Sequence, residues 1–436
     1  MVQDHVIIIG NGIAGVTAAR HIRKLSDKRI TIISSESEYF FSRTALMYVY
    51  MGHMQWRHLK PYEDHFWTKN RIQLLKAYVT SIIPEENRIK LKDGRQIEYT
   101  QLILATGSEP QKFGWSGQDA KGVQGLYSKQ DLELLEKNAP NSEVCKKAVI
   151  VGGGLIGIEL AEMLSTRGIP VTFLVREKHF WNNVLPAHDA KIIDEHIRKH
   201  NIDLRLNTNL EEVITYDKNQ VKAVRLKETD EVISCDLVGL TTGVKPRLEM
   251  LNQTSIQTNR GVLVNRFLET NYSDIYAIGD CAEQQNPIDQ RPPIEAVWYT
   301  GKMMGETVAQ TICGRRMAYK PGHWFNSAKF FDIEYQTYGW VFPTAKENHQ
   351  HLHWSHRDGS KAMTINFNQK NNQFVGINTF GMRIRHEVIN NWLNEKKSIL
   401  EVLQQLEKVN FDPEFFKSYE KDIFKSFQKH LQKQEG

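Results

Sequence analysis

Two glycine-rich turns with the same spacing are the residues of this chain that most clearly point to chemistry. They are Gly10-Asn11-Gly12-Ile13-Ala14-Gly15 and, 142 residues later, Gly152-Gly153-Gly154-Leu155-Ile156-Gly157. In the GxGxxG pattern the first glycine makes a tight turn and the second lets the backbone approach a pyrophosphate. The third glycine lets a helix pack closely on the sheet, with its N-terminus facing the negative charge. The repeated pattern predicts two dinucleotide sites, and coincidental glycine turns are the weaker interpretation.

The elements around both turns follow one plan of strand, glycine turn, helix and strand. Around the first turn the strands are predicted at residues 6–9 and 30–33, with a helix over 16–25 between them. Around the second turn the strands are predicted at residues 148–151 and 171–175, with a helix through Leu164. Strands that alternate with helices predict parallel sheets. We therefore expect an α/β fold with two doubly wound dinucleotide-binding domains.

The rest of the chain contains further predicted strand ends, and its sequence pattern changes near the C-terminal third. Small or acidic residues follow predicted strands at Ala105-Thr106-Gly107, Thr242-Gly243 and Gly279-Asp280. From about Met317 the pattern becomes aromatic and alternating, which predicts an antiparallel sheet. Its strands are expected at residues 330–338, 362–367 and 374–380. Helical patterns follow over residues 385–409 and from Pro413 to the end, so this part is expected to be an α+β domain.

Composition excludes several classes of protein. The net charge is +5, without the clustered surplus of a nucleic-acid binder. No apolar run approaches the roughly 18 residues that span a bilayer, and no secretory signal is evident. The four cysteines form no CxxC pair, which argues against a disulfide scaffold and a thiolate zinc site. A cytoplasmic location is the prediction.

Taken together, the motifs resemble the FAD-dependent pyridine nucleotide oxidoreductases. This superfamily includes glutathione reductase, ferredoxin and rubredoxin reductases, the flavin part of nitrite reductase, apoptosis-inducing factor and type II NADH dehydrogenases. The resemblance covers about residues 1–315 and is weaker beyond them. It implies an FAD-binding domain in two parts, an NAD(P)-binding domain inserted into it, and a C-terminal α+β domain. The predicted boundaries are 1–117 and 241–316 for FAD, 118–240 for NAD(P), and 317–436 for the C-terminal domain.

Residues 39–48 indicate which subgroup of the superfamily the chain resembles, because the disulfide reductases carry CxxxxC in this stretch. This chain has no cysteine there, so we expect no redox disulfide. The stretch is similar instead to the Y-x-R-P-P-L-S-K segment of ferredoxin and rubredoxin reductases. Arg43 matches the family arginine that lies along FAD, whereas Tyr48 replaces a lysine that pairs with a glutamate near flavin N5. Glu159 matches that glutamate and is the one catalytic residue predicted; it is either unpaired or reached by Lys60.

The resemblance also assigns residues to each cofactor. Glu36 is expected at the adenosine ribose, with a solvated surface glutamate as the alternative. Asp280 is expected to bond the ribityl chain, with helix capping as the alternative. The predicted FAD-binding residues are Gly10, Gly12, Ile13, Ala14, Gly15, Ser35, Glu36, Arg43, Ala105, Thr106, Gly107, Gly279, Asp280, Ala296 and Val297. The predicted NAD(P)-binding residues are Gly152, Gly154, Leu155, Ile156, Gly157, Arg176 and Gly243.

The end of the strand after the second turn bears on the choice of nucleotide. NAD-binding sites usually end this strand with an acid that accepts from the ribose hydroxyls. Here Val175 holds the expected position of the acid and Arg176 follows it. An arginine suits a 2′-phosphate, which favours NADPH. Glu177 could serve as the ribose acid instead, and that alternative favours NADH.

Four histidines, His349, His351, His353 and His356, crowd one stretch. The first three alternate along a predicted strand, which raises the question of a metal. No carboxylate or cysteine stands at ligand spacing in the sequence, so an exposed strand face is the prediction and no metal is assigned.

The resemblance implies that hydride passes from NAD(P)H to FAD and that electrons then leave for an acceptor. A small redox protein such as a ferredoxin or rubredoxin is the expected partner. The C-terminal domain often mediates dimerisation in the superfamily, which leaves a homodimer open. The alternatives are a quinone at a membrane surface and an NADH-sensing flavoprotein like apoptosis-inducing factor. The C-terminal helix bears on the quinone alternative. Docking on protein is favoured over membrane for its apolar face of Phe416, Tyr419, Ile423, Phe427 and Leu431.

Overall fold

The computed structural model of the chain describes residues 4–217 and 219–432. The strands are β1 (His5–Ile9), β2 (Arg29–Ser34), β3 (Ile72–Lys76), β4 (Val79–Ile83), β5 (Arg88–Leu91), β6 (Gln96–Glu98), β7 (Gln101–Leu104), β8 (Ser108–Pro110), β9 (Val123–Gln124), β10 (Ala148–Val151), β11 (Val171–Val175), β12 (Asp203–Leu206), β13 (Leu210–Thr215), β14 (Val221–Leu226), β15 (Val232–Ser234), β16 (Leu237–Leu240), β17 (Val244–Pro246), β18 (Val262–Val264), β19 (Ile275–Ala277), β20 (Ala282–Gln284), β21 (Phe325–Phe330), β22 (Ile333–Gly339), β23 (His349–Ser355), β24 (Ala362–Asn368) and β25 (Gln373–Phe380). The α-helices are α1 (Ile13–Leu25), α2 (Leu46–Tyr50), α3 (His65–Lys69), α4 (Lys129–Asn138), α5 (Leu155–Thr166), α6 (Ala187–Lys199), α7 (Trp298–Ile312), α8 (His386–Asn394), α9 (Ile399–Gln404) and α10 (Glu420–Gln432).

The described residues form two compact units. The first unit comprises residues up to Lys112, residues 125–137 and residues 243–321. Its main sheet is parallel with strand order β19-β7-β1-β2-β3. Every residue of the central strand β1 is buried, as expected for a parallel sheet covered on both faces. Helices α1 and α7 are in close contact at Gly305. A Cβ atom at this position would lie only 2.5 Å from the carbonyl oxygen of Ala14, so the contact requires glycine.

The second unit comprises residues 113–124, 138–242 and 322 onward. Its parallel sheet has strand order β12-β11-β10-β16-β9, and β13, β14 and β15 form a small antiparallel sheet. Its C-terminal sheet is antiparallel, with strand order β21-β22-β25-β24-β23. Helices α8, α9 and α10 contribute to the hydrophobic core that contains this sheet. The predicted α/β class with an added α+β segment is confirmed.

Three predicted elements of the C-terminal segment have different bounds in the structure. The run 330–338 is broken into β21 and β22, because Phe331 adopts a left-handed φ of 55° at the turn between them. The helical pattern 385–409 is broken after α8, where Lys396 has a φ of 53°. The terminal helix starts at Glu420 rather than near Pro413, so Phe416 precedes it.

Helix α10 packs on its own chain. Ile423 and Phe427 are buried, with exposed fractions of 0% and 1%, in the core that also holds residues of β23 and β24. The predicted docking of this face on protein is confirmed for these residues. The side chain of Leu431 lies outside the described residues. Among the residues that the structure describes, no helix has the length and hydropathy that crossing a membrane requires.

Candidate functional site

The first glycine turn connects β1 to α1, and its geometry explains each glycine. Gly10 has a φ of +115°, and a Cβ atom there would lie 2.0 Å from the carbonyl oxygen of Ala105. A Cβ atom on Gly15 would lie 2.1 Å from the carbonyl oxygen of Gly10. Both positions therefore require glycine, because any side chain would collide with the protein's own backbone. Gly12 differs, because nothing in the protein lies within 4 Å of a Cβ atom placed there.

The second glycine turn connects β10 to α5 and repeats this division. Gly152 has a φ of +120°, and its Cβ atom would lie 2.5 Å from the carbonyl oxygen of Thr241. The Cβ atom of Gly157 would lie 2.4 Å from the carbonyl oxygen of Gly152. Gly154 again faces open space, with nothing within 4 Å of its added Cβ atom. In each turn, therefore, the packing of the protein leaves room for a side chain at the middle glycine.

The helices that follow both turns leave their first amide groups available. Gly12 caps α1 and Gly154 caps α5, and neither cap provides a side-chain hydrogen bond. The first amides, at Ile13 and Ala14 and at Leu155 and Ile156, have no helical acceptor. Unsatisfied amides and a positive helix end suit a pyrophosphate. The open space at the middle glycine and these amides fit a dinucleotide at both turns.

Glu36, just past the end of β2, forms a bidentate ion pair with Arg43. Its two carboxylate oxygens accept from Nη1 and Nη2 of Arg43 at 2.9 and 2.6 Å, and the backbone amide of Lys129 donates to Oε1 at 2.9 Å. Burial acts to raise the pKa of Glu36, but Arg43 and the amide outweigh it, so the pKa lies below its usual range. Glu36 is thus held as a carboxylate. The structure does not bear out a freely solvated surface glutamate.

The same pair fixes the Arg43 guanidinium in place. Nη1 also donates to the carbonyl oxygen of Tyr127 at 2.6 Å, and the guanidinium carbon lies 4.7 Å from the centre of the Tyr127 ring. On another side the ring of Phe41 lies 5.2 Å away. The two residues predicted at FAD, Glu36 and Arg43, are therefore brought together and oriented by each other.

Asp280 lies at the end of β19 in the same unit. The hydroxyl of Ser108 donates to its Oδ2 atom at 3.2 Å, and the Tyr127 hydroxyl lies 3.5 Å from the same atom. Burial is the largest influence and raises the pKa of Asp280 above its usual range. A half-buried carboxylate at this position can accept a hydrogen bond from a ligand hydroxyl. Sequence analysis did not identify Tyr127 and Ser108, which contact the predicted FAD residue Asp280, since neither belongs to a motif.

The remaining residues predicted at FAD lie near these groups in the first unit. The Thr106 hydroxyl donates to the carbonyl oxygen of Arg247 at 2.9 Å, and Ala105 faces Gly10 as described. Gly107 and Gly279 have positive φ values of 67° and 71°. Ser35 is exposed and next to Glu36.

Ala296 and Val297, two of the residues predicted at FAD, directly precede helix α7. Val297 is the N-cap of α7 and Trp298 is its first residue. The Thr300 hydroxyl donates to the carbonyl oxygen of Glu295 at 3.1 Å, which fixes this turn. Trp298 is 38% exposed, so it is not a core residue of the described chain. Ala296 and Val297 therefore lie at the N-terminal end of α7.

Glu159 lies on α5, two residues after Gly157. It is half-buried, and within its own unit no described residue of opposite charge pairs with it. Burial, followed by the charge of Glu162, raises the pKa of Glu159 to about 7. Glu162 itself accepts from Nζ of Lys329 at 3.0 Å. Lys60, the alternative partner, forms an ion pair with Asp64 in the first unit.

The end of β11 presents Arg176 and Glu177 side by side. Nε of Arg176 donates to Oε1 of Glu177 at 2.7 Å, with side chains that are 71% and 29% exposed. Val175 is fully buried and would contact a side chain at Gly153. Gly243 has a φ of +100° and open space around its Cβ position. Both alternatives for the nucleotide ribose, the arginine and the acid, therefore lie at the strand end.

The expectation for the histidines was wrong in two respects. His351 and His353 lie on β23 but are half-buried, not on an exposed strand face. A carboxylate does accompany them, because Oδ1 of the fully buried Asp189 lies 3.3 Å from Nδ1 of His353. Asp189 lies on α6, far away in the sequence, so local ligand spacing could not reveal it.

The fold and the two glycine turns define a protein that binds two dinucleotides. Residues 4–307 match the model of the pyridine nucleotide-disulphide oxidoreductase family. The chain is 31% identical over 285 residues to rubredoxin-NAD(+) reductase from Acinetobacter baylyi, covering 64% of this chain and 72% of that protein. It is 30% identical over 343 residues to an NADH oxidase from Methanocaldococcus jannaschii, covering 75% and 74%. A ferredoxin reductase from Rhodopseudomonas palustris has a similar structure, with a TM-score of 0.79, 22% identity and coverage of 87% and 91%.

The chain belongs to the pyridine nucleotide-disulphide oxidoreductase family. It is an FAD-dependent NAD(P)H oxidoreductase. FAD and NAD(P)H are the cofactors expected for this family, and the two glycine turns fit them.

Proposed function

We propose that this enzyme passes electrons from NAD(P)H through FAD to a small redox protein of the rubredoxin or ferredoxin type. The observation that carries this proposal is the match to a rubredoxin reductase across 72% of that protein's length. When bound, NAD(P)H supplies a hydride and FAD supplies the group that accepts it and returns electrons to an acceptor.

The cysteines support an acceptor outside the chain. Cys145, Cys235 and Cys281 are buried and free, and no cysteine stands in residues 39–48. Burial raises the pKa of Cys145 to about 11, and it also raises the pKa of Cys281. Such thiols stay protonated and unreactive at neutral pH. An internal dithiol is therefore not the proposed electron acceptor.

The described residues have defined roles in this proposal. The amides at the start of α1 and α5 bind the two pyrophosphates, and the Arg43–Glu36 pair holds a charged, oriented carboxylate for the adenosine ribose of FAD. Asp280 accepts from the ribityl chain. Glu159 stays the proposed catalytic residue, and burial and the charge of Glu162 raise its pKa to about 7.

The proposal is tested by steady-state turnover of the purified, FAD-loaded protein with rubredoxin, ferredoxin, a water-soluble quinone and oxygen as acceptors. We expect one of the iron–sulfur or iron proteins to give at least about tenfold higher kcat/KM than oxygen or quinone. Faster oxygen consumption would favour an oxidase like the archaeal relative. Slow NADH oxidation without turnover of any acceptor would favour a sensor. The quinone alternative has lost its main support, because the apolar face of α10 is buried on protein at Ile423 and Phe427.

We also propose NADPH as the preferred donor. The support is the exposed Arg176 at the end of β11, in the position where NAD-dependent proteins usually place an acid. Arg176→Ala should lower kcat/KM for NADPH by roughly tenfold or more, as expected for a lost charge-assisted contact, and leave NADH little changed. A strong NADH preference that survives Arg176→Ala would overturn this choice. The homodimer and the cytoplasmic location stay predictions.

A further inference from the structure

A group of histidines surrounds one buried carboxylate in the second unit. We call His188, Asp189, His351 and His353 the histidine cluster. His188 and Asp189 lie in the first turn of α6, and His351 and His353 lie on β23. Asp189 is completely buried. A carboxylate without solvent is retained in proteins when it is paired or coordinates a metal ion.

The spacing of the atoms resembles the ligand shell of a zinc ion. Two ligands bound tetrahedrally at about 2.0–2.1 Å lie about 3.3–3.4 Å apart. Oδ1 of Asp189 lies 3.3 Å from Nδ1 of His353 and 3.6 Å from Nε2 of His188. All three ligand atoms lie within 4.8 Å of one another.

Neighbouring side chains orient the carboxylate as second-sphere groups do in metal sites. The Thr364 hydroxyl donates to Oδ1 of Asp189 at 2.6 Å, and Nδ2 of Asn378 donates to Oδ2 at 3.0 Å. The Thr364 oxygen also lies 2.9 Å from Nδ1 of His353, so a bound ion would replace this hydrogen bond. Thr364 lies on β24 and Asn378 on β25, so the carboxylate is fixed by the sheet. Such partners are a common feature of bound carboxylate ligands.

Two imidazole nitrogens of the cluster accept or donate no hydrogen bond among the described residues. Nε2 of His188 and Nε2 of His351 are buried, and no described group forms a hydrogen bond with either. The ring centres of His188 and His353 are 4.2 Å apart, and those of His188 and His351 are 6.1 Å apart. Unsatisfied buried nitrogens are costly unless something binds them. A cation with imidazole affinity would satisfy them.

A second group, formed by His196 on α6, His200 directly after this helix and Asp332, serves as a contrast. Nε2 of His196 and Nε2 of His200 lie 2.5 and 3.1 Å from Oδ1 of Asp332. The shorter distance is that of a hydrogen bond rather than of two ligands on one ion. Asp332 is also 74% exposed, so water competes for it. We attribute these contacts to hydrogen-bonded pairing.

We propose that His188, Asp189 and His353 bind a Zn²⁺ ion, with His351 or a water molecule in the fourth position. Two imidazoles and a carboxylate are ligands that zinc accepts. The ion would join the first turn of α6 to the C-terminal sheet. Its role is structural, and it is independent of the acceptor proposed above.

The test uses the full-length, FAD-loaded protein without an affinity tag, stripped of metal with a chelator and dialysed. Zinc alone is then titrated, and bound metal is counted by mass spectrometry. We expect about one zinc per chain and a higher Tm when zinc is present. His353→Ala should weaken zinc binding by at least about 100-fold, more than second-sphere changes do. His200→Ala, at the residue that follows the same helix, should leave zinc binding unchanged.

Cobalt(II) provides a second measurement that does not depend on any variant. The wild-type protein should develop tetrahedral ligand-field bands at wavelengths longer than the flavin absorption, and Asp189→Asn should lose them. Absence of zinc binding and of these bands in the wild type would overturn the proposal and leave a hydrogen-bonded cluster. Zinc binding that His200→Ala abolishes, but His353→Ala does not, would equally overturn it.

Discussion

Replacing the middle glycine of each turn by alanine should separate the two cofactor sites. Gly12 and Gly154 both have extended backbone, with φ values of −73° and −118°, which alanine adopts without strain. Nothing in the protein lies within 4 Å of either added Cβ atom. We therefore expect Gly12→Ala to lose FAD affinity and Gly154→Ala to lose NAD(P)H affinity, with both variants folded.

The magnitudes follow from what the methyl group displaces. Folding should change by no more than about 1 kcal/mol, because the entropy gain of about 0.4–1 kcal/mol from Gly to Ala is offset by a poorer helix cap. A methyl group in the approach space would cost at least one charge-assisted hydrogen bond to the pyrophosphate, about 1.5–3 kcal/mol. Dissociation constants should therefore rise by roughly 10- to 150-fold.

The assay compares three variants for bound flavin, nucleotide affinity and thermal unfolding. Flavin content is read from absorbance, and NAD(P)H binding is measured by titration of the FAD-loaded protein. Gly10→Ala is the contrast, since its Cβ atom would lie 2.0 Å from a carbonyl oxygen and should impair folding itself. The reasoning is refuted if Gly12→Ala keeps wild-type FAD affinity, or if Gly154→Ala empties the FAD site while NAD(P)H binding is kept.

Three further predictions concern charge and packing. Asp280→Asn should raise the Tm of the FAD-free protein at pH 7 and lower FAD affinity, because burial raises the pKa of this carboxyl and its ionised form is destabilising; thermal unfolding and flavin titration check both. Burial, then Glu162, raises the pKa of Glu159 from 4.5 to about 7, so wild-type stability should fall by up to about 3 kcal/mol as pH rises through this range. Glu159→Gln should abolish that slope in denaturant titrations across pH, and an unchanged slope would contradict it. Phe427→Ala should destabilise the protein by about 3–5 kcal/mol in urea unfolding, whereas Phe415→Ala, at an 81% exposed residue, should be neutral.

The features that could be predicted from sequence are those set by neighbours in the chain. Both glycine turns and the strands and helices beside them follow from local spacing, and α1 differs only in starting at Ile13 rather than Val16. The buried strands of parallel sheets are continuous apolar runs, which makes them easy to find. The bounds were least accurate where a single left-handed residue, such as Phe331, ends an otherwise regular run.

The features that could not be predicted depend on pairs far apart in the sequence. Tyr127 reaches Arg43 and Asp280 through contacts that no motif encodes. Asp189 accepts a hydrogen bond from Thr364, which is 175 residues away in the sequence. Asp189 also contacts the histidines of β23, which were expected on an exposed strand face and are half-buried. Local pattern carries no information on such pairs, because they form only when segments far apart in the sequence pack together.

The strand order of the first parallel sheet constrains how a growing chain can fold. Strand β19 pairs with β7, and Ile275 lies opposite Leu102. A ribosome must therefore synthesise the long intervening stretch, most of it belonging to the other unit, before this sheet gains its last strand. Until then β7 pairs only with β1, and its other side is a hydrophobic edge that is prone to pair with other chains. Expression of fragments that end before residue 275 should accordingly give aggregated protein, and the folding of this sheet is completed late in synthesis.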